Sequence, residues 1–200
     1  MRDLLSKNAL GRIHEISIEF RHDFLSSPMT GSAWRHAKQL AGAGALGDLG
    51  VHAIDLLLWL SNEDVELASA TGSIQYAVRS QSDGSKIKAE TDDTANLALK
   101  LKQSGGVGNI LVSRVATGLA QLRFTIFGTK SGLILEIDPN SGAANFSHAP
   151  IEITALSSTS HQSIYSAIIS GQTSNLASFN DGMNAQLILD EALRYIEASS

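Results

Sequence analysis

The stretch Thr94–Val115, TANLALKLKQSGGVGNILVSRV, lies at the centre of the region beyond Leu60 in which the sequence has changed from helical to strand period. TANLALKLK and GVGNILVSRV read as strands, and the QSGG between them carries hairpin-turn residues. VELASATGSIQYAV before this stretch, and LAQLRFTIFG and SGLILEI after it, have the same character, with GTKSG as a second turn. Upstream, RIHEISIEFRHDF alternates, with Ile13, Glu15, Ser17 and Glu19 opposite His14, Ile16, Ile18 and Phe20, which predicts another strand. IEITAL, 151–156, is expected to add a strand ahead of a helix in HQSIYSAIIS, 161–170. The terminal FNDGMNAQLILDEALRYIEAS predicts a helix, because Leu187, Leu189 or Asp190, Ala192 or Leu193, and Ile196 recur at helical spacing. One helix, a run of strands and then two helices predict an α+β fold, with helices covering one face of a mainly antiparallel sheet. No internal repeat or linker divides the chain, and residues 1–200 are expected to form one domain.

The helix ahead of the strands poses the functional question. In GALGDLGVHAIDLLLWL, Gly44–Leu60, Asp48, His52 and Asp55 interrupt an almost wholly apolar run. Buried charges are costly unless they are paired or used. Spacings of four and three put all three side chains on one helical face. An imidazole beside carboxylates suits proton transfer to or from a hydroxyl or carbonyl oxygen, with His52 as the acid/base and Asp48 orienting it. Three other readings stand beside this one: a core histidine satisfied by a neighbouring carboxylate, Asp48 as a simple N-cap, and a His/carboxylate metal site.

Around this helix the signals are mixed. GAGALG, Gly42–Gly47, satisfies G-x-G-x-x-G, but no strand leads into it and no parallel βαβ unit follows. It is therefore expected to serve a flexible or close-packed backbone approach at the Asp48 helix rather than a dinucleotide, with anion binding at that helix start as the alternative. Trp34 and Arg35, with Lys38 nearby, could offer a flat wall and a cationic contact to a polyhydroxylated or carboxylated substrate. Asp92 and Asp93 precede a strand and read as structural turn residues, and His161 as an orienting residue at a helix start. RDLLSKNAL followed by Gly11 has the pattern of a short helix closed by glycine.

Composition narrows the function classes. With 15 Lys+Arg against 20 Asp+Glu the formal charge is −5, and no basic block suggests a nucleic-acid partner. No cysteine is present, so thiolate catalysis, disulfides and Cys-based zinc sites are excluded. Neither a signal peptide nor an apolar run of ~18 residues is evident, so a cytoplasmic protein without a membrane span is expected. NFS at Asn145 fits a glycosylation pattern that matters only in a secreted chain.

With these residues in view, the sequence resembles the Gfo/Idh/MocA oxidoreductases in their second, substrate-binding domain. DLGVHAID matches that domain's Asp-x-Gly-x-His-x-x-Asp helix as Asp48, Gly50, His52 and Asp55. SAWR, DDTANLALKLKQSGGVGNILVSRVATG, FTIFGTKSGLILE and SFNDGMNAQLILDEAL are similar in order along nearly the whole chain. The resemblance implies a large mixed, mainly antiparallel sheet whose open face makes a homo-oligomer contact. It implies His52 as the residue exchanging a proton at the substrate hydroxyl and Asp48 as its carboxylate partner; beside them, Asp55, Arg35 and Trp34 are expected substrate contacts. A sugar, cyclitol or related polyol is the implied substrate, and NAD or NADP the implied cofactor of the complete enzyme. The Rossmann domain and its Glu-Lys-Pro lysine have no counterpart here, so this chain is expected to bind no cofactor and no metal by itself and to be inactive in isolation. The alternative is a non-catalytic oligomerising or small-molecule-binding module derived from such an enzyme.

Overall fold

The computed structural model describes residues 8–29, 33–148, 166, 169–170 and 176–199. The expected strand 151–156, His161 and most of the expected helix 161–170 lie outside the described residues. The strands are β1 (Ile13–Arg21), β2 (Val65–Ser73), β3 (Val78–Ser80), β4 (Lys86–Lys88), β5 (Thr94–Leu101), β6 (Val107–Ser113), β7 (Gln121–Gly128), β8 (Gly132–Ile137) and β9 (Ala144–His148). The helices are α1 (Lys38–Ala41), α2 (Val51–Ser61) and α3 (Phe179–Ala198). A 3-10 turn at Ala33–His36 precedes α1, and a π-helical turn at Leu46–Gly50 leads into α2.

Seven strands form one sheet in the order β2-β5-β6-β1-β7-β8-β9, while β3 and β4 form a separate small hairpin. Only the β1/β6 pair is parallel; the other ladders are antiparallel, so the sheet is mixed and mainly antiparallel as expected. Register aligns Leu97, Ile110, Ile18, Phe124 and Leu135 as one row across five strands. Every member of that row is buried, because alternation along each strand sends these side chains to the face that the helices cover. Burying each removes enough apolar surface from water to contribute roughly 1.5–3 kcal/mol.

Helix α2 lies over the next row. A Cβ at Gly108 would stand 3.4 Å from Leu57 Cδ1 and 3.1 Å from Leu99 Cβ, so the missing side chain is what lets the helix settle onto the sheet. Ala53, Ile54, Leu57 and Leu60 complete the contact from the helix side. The stretch Lys38–Ser61 is 24 residues long and, by length and composition alone, apolar enough to cross a membrane. This corrects the expectation that no run reaches that length, and its apolarity has a packing explanation: Ala45, Leu46, Leu49, Ala53, Ile54, Leu57 and Leu60 belong to the hydrophobic core.

The terminal helix α3 begins at a capping box. Ser178 Oγ accepts from the Asp181 amide, and the Asp181 carboxylate accepts from the Ser178 amide at 2.7 Å. Ala185, Leu189 and Ala192 are its buried positions. Leu187, one of the residues whose spacing predicts this helix, is exposed, as are Phe179 and Met183. Strand β9 was not expected from the sequence: it is an edge strand, largely exposed, and contains the NFS triplet.

Ile18→Ala should lower stability by about 2–5 kcal/mol in urea unfolding, since the cavity opens at the centre of the sheet. Met183→Ala on the outer face of α3 should change it by no more than about 0.5 kcal/mol.

Candidate functional site

The loop that enters α2 is fixed from below by Asp92. Its carboxylate accepts the amides of Gly44 and Leu46, each at 2.9 Å, and its carbonyl accepts the amide of Ala45 at 2.8 Å. Gly44 is required by this approach, because a Cβ there would lie 1.9 Å from the Asp92 carbonyl oxygen. The glycine pattern thus serves close backbone packing, and the free amides that would receive an anion at this helix start are already taken. Burial pushes the Asp92 carboxyl above the usual carboxylate range, opposed by these amide bonds and by Arg114.

Asp48 sits in the π-helical turn that follows. Contrary to the N-cap reading, its side chain caps nothing: neither this turn nor α2 has a side-chain cap. Arg35 Nη1 instead donates to both Asp48 oxygens, at 2.7 and 2.9 Å. The Arg35 guanidinium also lies over the Trp34 ring, 4.7 Å from its centroid, so the 3-10 turn presents the two side chains together. Trp34 is half exposed. Lys38 is drawn away from them to Glu197 at 2.6 Å.

Behind Asp48 lies a buried ionic group. Asp93 Oδ1 accepts from Arg79 Nη2 at 2.8 Å and from Arg114 Nε at 3.2 Å, and all three side chains are fully buried. Asp93 Oδ2 accepts the amides of Gln75 and Tyr76 at 3.0 and 3.3 Å. Arg114 Nη2 donates to Thr91 Oγ1 at 2.8 Å, and the Thr91 hydroxyl donates to the Arg35 carbonyl at 2.8 Å. Arg114 Nη1 stands 3.6 Å from Asp48 Oδ2. His36 is buried beside these groups, and burial together with Arg79 and Arg114 lowers its pKa to about 4, so the ring is neutral at pH 7.

His52 follows one turn after Asp48 and is exposed. The expected hydrogen bond from Asp48 to His52 is not formed; among the described residues the His52 imidazole makes no hydrogen bond, because Asp48 faces Arg35. Asp55 is half buried, and its carboxyl is pushed up by burial and by the negative charge of Asp181, with His52 opposing. It borders a cleft of ≈ 550 Å³ between α2 and α3 that also includes Trp59, Asn62 and Asn184. Among the described residues no group of three or more His, Asp or Glu is arranged to hold a metal ion.

The structure therefore brings Trp34, Arg35 and Asp48 into contact and leaves His52 and Asp55 beside them on α2. Sequence reasoning did not assign Arg79, Thr91, Arg114 or His36. For Arg114 the signal was present, a cation immediately after the apolar strand GVGNILVS.

Comparison with known proteins places the chain in context. The GFO/IDH/MocA C-terminal domain matches residues 1–134. Levoglucosan dehydrogenase of Pseudarthrobacter phenanthrenivorans is 26% identical over 148 residues, covering 67% of this chain and 37% of that protein. An uncharacterized oxidoreductase of Synechocystis is 31% identical over 138 residues, covering 68% of this chain and 36% of that protein. The chain thus spans a little over a third of the curated relatives it matches. A levoglucosan dehydrogenase structure in complex with NADH and L-sorbose superposes with a TM-score of 0.78 at 23% identity, covering all of this chain and 60% of that one. An NAD binding oxidoreductase from Klebsiella pneumoniae has a TM-score of 0.78 at 17% identity, covering all of this chain and 61% of that one. At these identities the superpositions show the fold.

Two outcomes test the site's construction. Gly44→Ala should cost at least ~3 kcal/mol, since backbone must move, whereas Gly42→Ala, at φ +73 with open space around it, should cost only about 1 kcal/mol; urea unfolding of both variants compares them. Because the unfolded chain protonates His36 near 6.5 and the folded chain only near 4, stability is fully present above pH 6.5 and is lost as pH falls toward 4. His36→Asn should flatten that slope by up to ~3 kcal/mol when unfolding is followed from pH 7.5 to 4.5.

Proposed function

The chain belongs to the GFO/IDH/MocA C-terminal domain family, and from that premise we propose that it is the substrate-binding portion of an NAD- or NADP-dependent dehydrogenase acting on a sugar, cyclitol or related polyol. The observation that carries this reading is His52: an exposed imidazole with no hydrogen bond among the described residues, on a helix whose apolar faces are packed into the core. A side chain left open in this way is available to a ligand hydroxyl. One relative is a levoglucosan dehydrogenase, and levoglucosan dehydrogenase structures hold NADH together with L-sorbose or levoglucosan; that supports the substrate class.

On this reading His52 takes the proton from a substrate hydroxyl at a ring nitrogen, and the Asp48 and Asp55 carboxylates favour the resulting imidazolium. Arg35 donates hydrogen bonds to ligand oxygens from beside Asp48, and the Trp34 ring gives the apolar C–H face of a sugar a surface to cover. The glycine loop before α2 gives no support to a dinucleotide site. The amides of Gly44 and Leu46 are committed to Asp92, and a side chain's worth of space at Gly44 is filled by backbone. Cofactor binding and the redox step therefore belong to a separate dinucleotide-binding domain. The complete enzyme works in the cytoplasm as a homo-oligomer that pairs through the sheet face opposite the helices, where Asn109, Ser17 and Thr125 stand side by side.

In an enzyme assembled from this chain and a dinucleotide-binding domain, His52→Ala should lower kcat by about 10²-fold or more and leave cofactor affinity within a factor of two. Stopped-flow turnover and cofactor titration measure the two quantities. Unchanged kcat removes His52 from the chemistry.

A further inference from the structure

Arg114 is fully buried, and its guanidinium is committed at two of its three nitrogens. Nε donates to Asp93, and Nη2 donates to Thr91. Nη1 is buried and has no hydrogen-bond partner. A buried donor left unmade is unfavourable, and more so on a charged group. The nearest carboxylate is that of Asp48, with Oδ2 at 3.6 Å, just beyond hydrogen-bonding range.

Charge balance points the same way. Two buried guanidiniums, Arg79 and Arg114, share one buried carboxylate, Asp93. Asp92 lies near enough for Arg114 to act on it, but its oxygens are committed to the amides of Gly44 and Leu46. Asp48 is the remaining partner, and it is held off Arg114 by Arg35, which takes both of its oxygens. Arg35 and Asp48 are each about one-third exposed, whereas Arg114 is sealed, so a ligand can reach the first two and not the third.

We infer that Arg114 is a positioning residue for Asp48, a second anchor that receives the carboxylate whenever Arg35 is engaged elsewhere. A ligand that draws the Arg35 guanidinium toward its own oxygens would otherwise release Asp48 from the place where it stands beside His52. With Nη1 waiting, Asp48 moves by less than an ångström, exchanging a contact on the exposed side for one on the buried side, and keeps its position at the helix start. The inference rests on Asp48 belonging to the functional site, but its test requires no ligand.

The test uses the full chain with ¹⁵N-labelled arginine, comparing the parent, Arg35→Gln and the double variant Arg35→Gln/Asp48→Asn by NMR. Both changes are at partly exposed positions and leave Arg114 in place. In Arg35→Gln, Asp48 should close onto Arg114, and the Arg114 guanidinium protons should exchange with water about tenfold more slowly than in the parent. In the double variant that protection should disappear. Arg114 signals that do not change in Arg35→Gln, or that change equally in both variants, overturn the inference, the second result because a purely structural arginine answers only to Asp93 and Thr91. Sugar binding is measured on the same samples with levoglucosan. Its absence would count against the functional reading while leaving the Arg114 result to stand or fall alone.

Discussion

The carboxylate of Asp93 is the constraint on which the site depends. Two guanidiniums are buried with it, and each would be prohibitively placed without a negative charge within hydrogen-bonding distance. The same residue ties three parts of the chain together through its backbone, its amide donating to Ser73 and its carbonyl accepting from Arg114. Its second carboxylate oxygen holds the turn at Gln75 and Tyr76. Strand ends that would otherwise fray are thereby fixed at the point where the 3-10 turn and the π-helical turn meet.

Adjacent residues divide the work. Asp92 organises backbone, filling the amides that open toward the start of α2, while Asp93 organises charge. Between them they determine where Asp48 stands, since the π-helical turn is seated on Asp92 and its carboxylate faces arginines that Asp93 and Thr91 hold in place. The exposed layer, Trp34, Arg35 and His52, is thus supported by a buried layer that no ligand touches. Arg35 spends one nitrogen on Asp48, whereas the His52 imidazole is held in place by its helix without a hydrogen bond to any described residue.

The fold was legible where burial imposes a period. Strands β1, β5, β6, β7 and β8 carry apolar residues at alternate positions because one face meets the helices, and α2 and α3 stand out by apolarity and helical spacing. Strand β9 and the β3/β4 hairpin were not legible, because they lie largely in solvent and nothing selects their side chains by face. Leu187 misled for the opposite reason, being apolar at helical spacing yet exposed. In the site, Asp48, His52 and Asp55 could be placed on one helix from spacing alone. That Asp48 pairs with Arg35 rather than His52 could not, since the partner comes from a turn thirteen residues earlier. Asp93 read as a turn residue because its two arginines are distant in sequence.

The position of β1 has a consequence for how the molecule assembles. Strand β1, which precedes the other described strands in the chain, is the central one of the sheet, with β6 on one side and β7 on the other. Remove it and the remaining order falls into two independent halves, β2-β5-β6 and β7-β8-β9, each able to form from neighbouring hairpins. During synthesis β1 must therefore wait for both of its ladder partners until residues 107–128 have left the ribosome. Joining the halves is the long-range step that sets the pace of folding, and the interval before it is when the chain is most open to association with other chains.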